Sequence, residues 1–178
     1  MGKHKKPPFR VARTCHCGEH GFVGLTVGLV SFISPSDVHR ASQFNWCVIK
    51  GGYARSYGRE TGFMLRHRFL TSPSDDQVVD HIDRSPLNNQ RHNLRVCSQK
   101  INMWNTKACA RTSSFKGVHK GGDGKWVAQI CTEGKRSTIG RFESENEAAE
   151  AYDVAAIRSR GSATATNESL KLLNEGRT

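Results

Sequence analysis

The run VVDHIDRSPLNNQRHNLRVCSQKINMWN, Val78 to Asn105, sets an adjacent acid and imidazole, Asp80 and His81, ahead of two amide side chains, Asn93 and Asn102. Hydrolysis of a phosphodiester needs an activated water, neutralisation of charge on the phosphate and stabilisation of the departing oxygen. A histidine that is neutral near pH 7 supplies the first, and His81 is the candidate base. Asp80 and Asn102 offer oxygen ligands suited to Mg²⁺, which keeps several waters and takes one or two protein groups beside phosphate oxygens. Asn93 stands in the loop before the next apolar run, where a side-chain amide bonding to backbone fixes the loop that follows His81. Taken singly, an Asp-His pair is a turn with a satisfied hydrogen bond and a helical Asn faces solvent. All four at this spacing are what metal-assisted nuclease chemistry requires and a plain binding surface does not.

These residues need elements to hold them. VVDHID and LRVCS read as extended, RSPLNNQRHN as the loop between them, and SQKINMWN as a helix capped by Ser98, which together make a compact ββα unit. Upstream, from Gly21 to Leu70, the short apolar runs GFVGL, GLVSFI, WCVI and FMLRHRFL are separated by Gly, Ser and Pro, a pattern of strands and turns. SPSDVHRASQFNW is the candidate helix there, with Ser34 or Ser36 as its cap. His67 in LRHRF is placed to support the site from a neighbouring strand, with Arg66 and Arg68 beside it as phosphate contacts. Arg91 and His92 have two readings, phosphate contacts or a solvated loop.

DHI, NNQRHNLRV and the Asn that follows resemble the HNH (ββα-metal) nucleases, homing endonucleases in particular, over about residues 66–106. The resemblance implies that Asp80 and Asn102 bind a single divalent ion, that His81 is the general base and that Asn93 is the central structural residue. The last His of the family pattern is Asn102 here, which favours Mg²⁺ or Mn²⁺ over zinc or nickel because an amide oxygen suits a hard ion. A nuclease domain over 15–107, with its ββα core at about 76–106, is the expectation.

After a small-residue, basic linker at 108–112 the rhythm changes. SFKGVHK, GKWVAQICT and KRSTIGRF read as three strands joined by the Gly-containing loops GGDG and EGK. SENEAAEAYDVAAIRSRG reads as a helix with Ser144 and Glu147 as a capping box, Gly161 as its stop and Ala148, Tyr152, Ala155 and Ala156 as a narrow stripe for a sheet. Period-two alternation puts Trp126, Ala128 and Ile130 on one face of the central strand and Lys125, Val127, Gln129 and Cys131 on the other. KGV, GKWVAQI, IGRF and EAAEAYDVAAI resemble the Apetala/ethylene-response-factor (AP2/ERF) DNA-binding domain over Ser113 to Asn167. That resemblance implies a sheet laid in the major groove, with Lys116, His119, Lys125, Gln129 and Arg136 at its DNA-facing places. Cys131 and Thr138 stand where the plant proteins usually carry Arg and Trp. The fold class expected overall is α+β: a β-rich N-terminal region leading into the nuclease unit, then a three-stranded antiparallel sheet on one helix over 113–168, and a tail at 169–178.

Composition bounds the partners. The 178 residues carry a formal net charge of +11, and the first fourteen hold five Lys or Arg and no acid, so a polyanion is expected and double-stranded DNA leads. No stretch approaches the roughly 20 apolar residues of a membrane span, and the basic arm at 1–14 lacks the apolar core of an export signal. An intracellular, cytoplasmic or nucleoid setting, phage- or bacterium-like, is the expectation, with no obligate protein partner and monomer or homodimer left open. Six cysteines without an export signal argue against a disulfide framework. Cys15, Cys17 and His20 in CHCGEH, with Cys47, read either as a tetrahedral structural zinc site or as ordinary thiols. Cys97 reads as core, and Cys109 falls in the linker. Two rival readings remain beside the nuclease: a non-catalytic sequence-specific DNA-binding regulator, and a zinc-stabilised structural or RNA-binding module.

Overall fold

A computed structural model describes residues 12–58, 62–106 and 112–170; the basic arm up to residue 11, most of the linker with Cys109, and the tail beyond 170 lie outside the described residues. The chain is α+β and divides into two compact units, Met1–Gln99 and Lys100–Thr178. No helix among the described residues is long and apolar enough to cross a membrane.

The first unit runs β1 (Arg13–Thr14), β2 (Gly21–Gly24), β3 (Val30–Ile33), α1 (Val38–Ser42), β4 (Cys47–Val48), β5 (Ala54–Gly58), β6 (Gly62–Leu65), α2 (Arg66–Thr71), β7 (Val78–His81), β8 (Asn88–Asn89) and β9 (Leu94–Cys97). Three small sheets result, in the orders β1-β2-β3-β8, β4-β5-β6 and β7-β9; every pairing is antiparallel except the short parallel contact of β3 with β8. Alternation sets the faces: Val23 on β2 and Ile33 on β3 point into a core with Leu25, Ala41, Trp46, Ala54 and Leu70, while Val30 and Phe32 face out. Gly21 lets α1 pack on β2, because a Cβ there would lie 2.6 Å from Val38 Cγ2.

Two expectations change in this unit. FMLRHRFL is a strand only as far as Leu65; from Arg66 it is the helix α2, burying Arg66, His67 and Leu70 at helical spacing where a strand would bury alternate residues. The SPSDVHRASQ segment begins as a 3₁₀ turn at Pro35–Asp37 before α1, and neither Ser34 nor Ser36 caps it by its side chain: Ser34 is the N-cap residue but its hydroxyl accepts from the Arg91 amide instead.

The second unit holds α3 (Gln99–Trp104, from Lys100 on), β10 (Val118–Lys120), β11 (Trp126–Thr132), β12 (Lys135–Phe142) and α4 (Glu145–Arg160). Its strands form an antiparallel meander, with a bulge at Ala128/Gln129. Ala148, Ala149, Tyr152 and Ala156 of α4 lie on Phe115, Val118, Ala128 and Ile130, so small side chains let helix and sheet approach closely. Gly117 is required there: its φ is +75° and a Cβ would fall 2.0 Å from the Tyr152 ring. Ser144 caps α4 by accepting from the amide of Asn146, and Gly161, at φ +66°, ends it. The unit is larger at its N-terminal end than a domain starting at residue 113, because the Trp104 carbonyl accepts from both the Ala165 amide and the Lys116 ammonium.

Asn167, wholly buried, closes this unit. Its side-chain oxygen accepts from the Lys116 amide, its nitrogen donates to the Lys116 carbonyl and to Asp153, and its own amide donates to Asp153 at 2.7 Å. Asn167→Ala strands several buried polar groups at once and should cost about 3 kcal/mol, read as a lower urea midpoint with unchanged slope. In the first unit Arg66 is the opposite case: its three guanidinium nitrogens have no hydrogen-bond partner, and the group stacks 4.3 Å from the Trp46 ring. Arg66→Met keeps the stacked volume and removes an unpaired buried cation, so its unfolding free energy should equal or exceed the native chain's, by about 1 kcal/mol.

Candidate active site and candidate DNA-binding face

The β7–β9 ladder carries Asp80 and His81 into the interior, opposite Arg95 and Leu94 respectively. Asp80 forms a salt bridge with Arg95, which fixes the carboxylate's orientation. The chain leaves β7 into a loop held by Asn93. That amide accepts from the Asp83 amide (3.0 Å) and donates to the Asp83 carboxylate and the Asn88 carbonyl (both 2.8 Å). Burial raises the Asp83 pKa, but hydrogen bonds from Ser85, Asn88 and Asn93 outweigh it and hold the carboxyl below its ordinary value. Asn93 therefore ties the segment after His81 to the start of β9, as a loop-fixing residue would.

His81 is buried, with Nε2 3.3 Å from the Asn89 side-chain oxygen. The proton's position follows from Asn89's other bonds. Its amide nitrogen donates to Ser31 Oγ (3.0 Å) and the Pro86 carbonyl (3.1 Å), and the Ser31 hydroxyl donates onward to the Leu87 carbonyl. Both amide hydrogens are thus used, the Asn89 oxygen is the acceptor, and His81 Nε2 is the donor, which leaves the basic lone pair on Nδ1. Burial lowers the His81 pKa, with the Asn89 hydrogen bond and the charges of Asp83 and Asp80 opposing it in part, so the ring is neutral near pH 7. His67 and Tyr53 pack round it, with ring centroids 5.2 Å and 5.9 Å from His81.

Asn89, Ser31 and Tyr53 were not legible as site residues. Asn89 sits beside Asn88 in LNNQ, and nothing local separates them; only the fold turns Asn88 to Asp83 and Asn89 to His81.

The remaining candidates of the first unit divide sharply. Arg66 is fully buried and offers no surface to a phosphate, and burial pushes its pKa down to about 9. His67 supports His81 from helix α2 and not from a strand. Arg68 donates to the Gln77 carbonyl (2.9 Å). Arg91 is engaged by the buried Asp37 in a two-pronged salt bridge (2.7 and 2.9 Å), so its guanidinium is anchoring a loop to the core; His92 is exposed. Asn102 lies half-buried on α3, in the second unit. The four-residue zinc set does not form as expected: Cys47 is on β4, donating to the Arg55 carbonyl, whereas Cys17 and His20 gather with Glu19 in the β1–β2 hairpin.

In the second unit the sheet follows the expected parity except that Val127, expected on the free face, is buried. Ala128 and Ile130 enter the core, and His119, Gln129, Cys131 and Arg136 share the other side, with His119 opposite Val127 and Arg136 opposite Cys131. Arg141 joins this face opposite Val127, paired with Asp123 at 2.7 Å, and Lys125 pairs with Glu143. Gln129 donates to Thr138. Lys116 departs from the group, its ammonium being bound to the Trp104 carbonyl.

Burial of His67 has a consequence for stability. Desolvation, aided by the charges of His81 and Arg68, lowers its pKa from an ordinary 6.5 to about 4. The unfolded chain therefore binds the extra proton first, and this stability is fully present above about pH 6.5 and is lost as pH falls towards 4. The loss amounts to about 3 kcal/mol. Urea unfolding between pH 7.5 and 4 should show this decline, and His67→Gln should make it shallower; an unchanged slope would rule out a buried neutral His67.

No family model matches the chain. A protein of Acanthamoeba polyphaga mimivirus described as an uncharacterized HNH endonuclease is 31% identical over 153 residues, covering 82% of this chain and 79% of its own. An AP2/ERF and B3 domain-containing protein of Oryza sativa subsp. japonica is 47% identical over 60 residues, which is 34% of this chain but 16% of its own length. An ethylene-responsive transcription factor of Arabidopsis thaliana is 37% identical over 95 residues, 51% of this chain and 58% of its own. The likeness to the plant proteins is therefore partial on both sides. The likeness to the viral protein runs through most of both chains, well beyond one shared motif, and the chain belongs to the HNH endonuclease family.

Proposed function

We propose that the chain is a site-specific DNA endonuclease of the homing type, in which His81 is the general base and the C-terminal, AP2/ERF-like unit binds double-stranded DNA. One observation carries the catalytic reading: a buried imidazole, neutral near pH 7, whose tautomer is set by Asn89, follows Asp80 on β7 and feels its charge. The viral relative's description supports nuclease chemistry, and the partial likeness to plant transcription factors supports DNA as the partner.

Asp80 offers a carboxylate, an oxygen ligand suited to a hard ion that keeps its waters. Mg²⁺ or Mn²⁺, held by Asp80, would supply charge neutralisation at the phosphate and at the leaving 3′ oxygen. His81 Nδ1 takes a proton from the water that attacks phosphorus in line with the 3′ oxygen. Nε2–H stays donated to Asn89 throughout, so the ring does not turn as it charges. The negative charges of Asp80 and Asp83 favour the imidazolium that burial opposes. Asn93 keeps the loop behind His81 closed. In the second unit the sheet face bearing His119, Gln129, Arg136 and Arg141 is the surface we assign to DNA, tethered to the nuclease so that binding raises its local concentration at the target.

Conversion of supercoiled DNA containing candidate sites to nicked and linear forms, with Mg²⁺ and with EDTA, tests the reading. His81→Ala should lower cleavage by about 10²–10⁴-fold while DNA binding persists. Because the base must be neutral, the native rate should rise with pH to a plateau, with its midpoint below the ordinary histidine value of 6.5. DNA bound tightly but cut by neither protein would replace the nuclease with a binding regulator.

A further inference from the structure

We propose that the hairpin loop between β1 and β2 is a zinc site formed by Cys17, Glu19 and His20, with Cys15 as the fourth ligand. Ligand atoms of Cys17, Glu19 and His20 all lie within 4.8 Å of one another, close enough for small side-chain movements to gather them round one ion. Two thiols, an imidazole and a carboxylate are a donor set matched to a borderline-soft divalent ion and poorly matched to Mg²⁺.

The loop is built for this. The Cys15 amide donates to the His20 carbonyl (2.7 Å), and the Gly18 amide donates to the Cys15 carbonyl (2.9 Å), with Gly18 at φ +75° making the turn. Cysteine binds metal as the thiolate. Cys15, two residues earlier in the loop, would join as its thiol proton leaves; binding would therefore release one proton from each cysteine.

His20 has a second partner at the right atom. Its Nδ1 lies 3.1 Å from the Gln90 amide group, and its Nε2 is 3.9 Å from the Glu19 carboxylate. Ligation through Nε2 puts the ring proton on Nδ1 and requires the Gln90 amide to present its oxygen there, the outer hydrogen bond that orients metal-bound imidazoles. Gln90 follows Asn89, the partner of His81, so the metal would brace the hairpin and the loop behind the candidate base together. β1 is two residues long and needs such a brace more than a long strand does.

Cobalt(II) titration of the reduced, metal-free, full-length protein tests the site without reading cleavage. One equivalent should give tetrahedral visible bands and a near-ultraviolet thiolate-to-cobalt band, bleached by added Zn²⁺. Cys17→Ser and His20→Ala should weaken binding at least tenfold, Cys15→Ser should halve the thiolate band, and Cys47→Ala should change nothing. Gln90→Glu, which offers Nδ1–H a stronger acceptor, should tighten binding. Absence of the thiolate band in the native protein overturns the site even if every variant folds badly. So does binding that survives Cys17→Ser, or that is lost in Cys47→Ala.

Discussion

A buried imidazole keeps a defined chemistry only if each of its nitrogens has a defined role, and in this protein that is settled by Asn89. Its amide hydrogens are committed to Ser31 and Pro86, so its oxygen can only accept, and His81 must donate. The arrangement depends in turn on the parallel pairing of β8 with β3, which brings Asn89 beside Ile33 and close to Ser31. A two-residue strand with little weight in any stability account thus decides which face of the imidazole is basic. Around it, His67 and Tyr53 keep the ring dry and neutral, and Asn93 holds the loop that returns the chain to β9.

The cations show how little composition says about place. A net charge of +11 implies a polyanionic partner, yet several arginines of the first unit are engaged within the protein. Arg66 is under the surface on Trp46, Arg91 grips Asp37, Arg95 grips Asp80 and Arg68 holds a carbonyl. In the second unit the charges stay at the surface, on the face that α4 leaves uncovered. There Arg141 and Lys125 are balanced by Asp123 and Glu143 in exposed pairs that are worth little to stability and readily exchanged for a phosphate.

The two units are built by different means. The second has one sheet, one helix and a stripe of alanines, with Asn167 sealing the end, and its local signals agree with its fold at almost every point. The first is made of short strands in three sheets whose core residues come from widely separated segments, Val23, Ile33, Trp46 and Leu70 among them. Of its buried polar groups, Asp37, Asp80, His81, Asn89 and Asn93 are each satisfied by a residue distant in sequence or across a turn, whereas Arg66 is not.

Sequence by itself determined what periodicity and local chemistry control: the β7 and β9 extended runs, the meander with KRSTIGRF as a complete strand, and the Ser144-capped helix. Asp80, His81 and Asn93 are legible because the roles proposed for them depend on spacing within one supersecondary unit. Tertiary structure alone decided that FMLRHRFL breaks from strand to helix at Arg66, since an apolar run of that length suits either period. Only the fold turned Arg91 inward to Asp37, left Cys47 apart from Cys17 and His20, and chose Asn89 over Asn88 as the partner of His81. The physical reason is common to these cases: a hydrogen bond or ion pair between residues far apart in the chain is fixed by the packing that brings them together, and no local pattern records it.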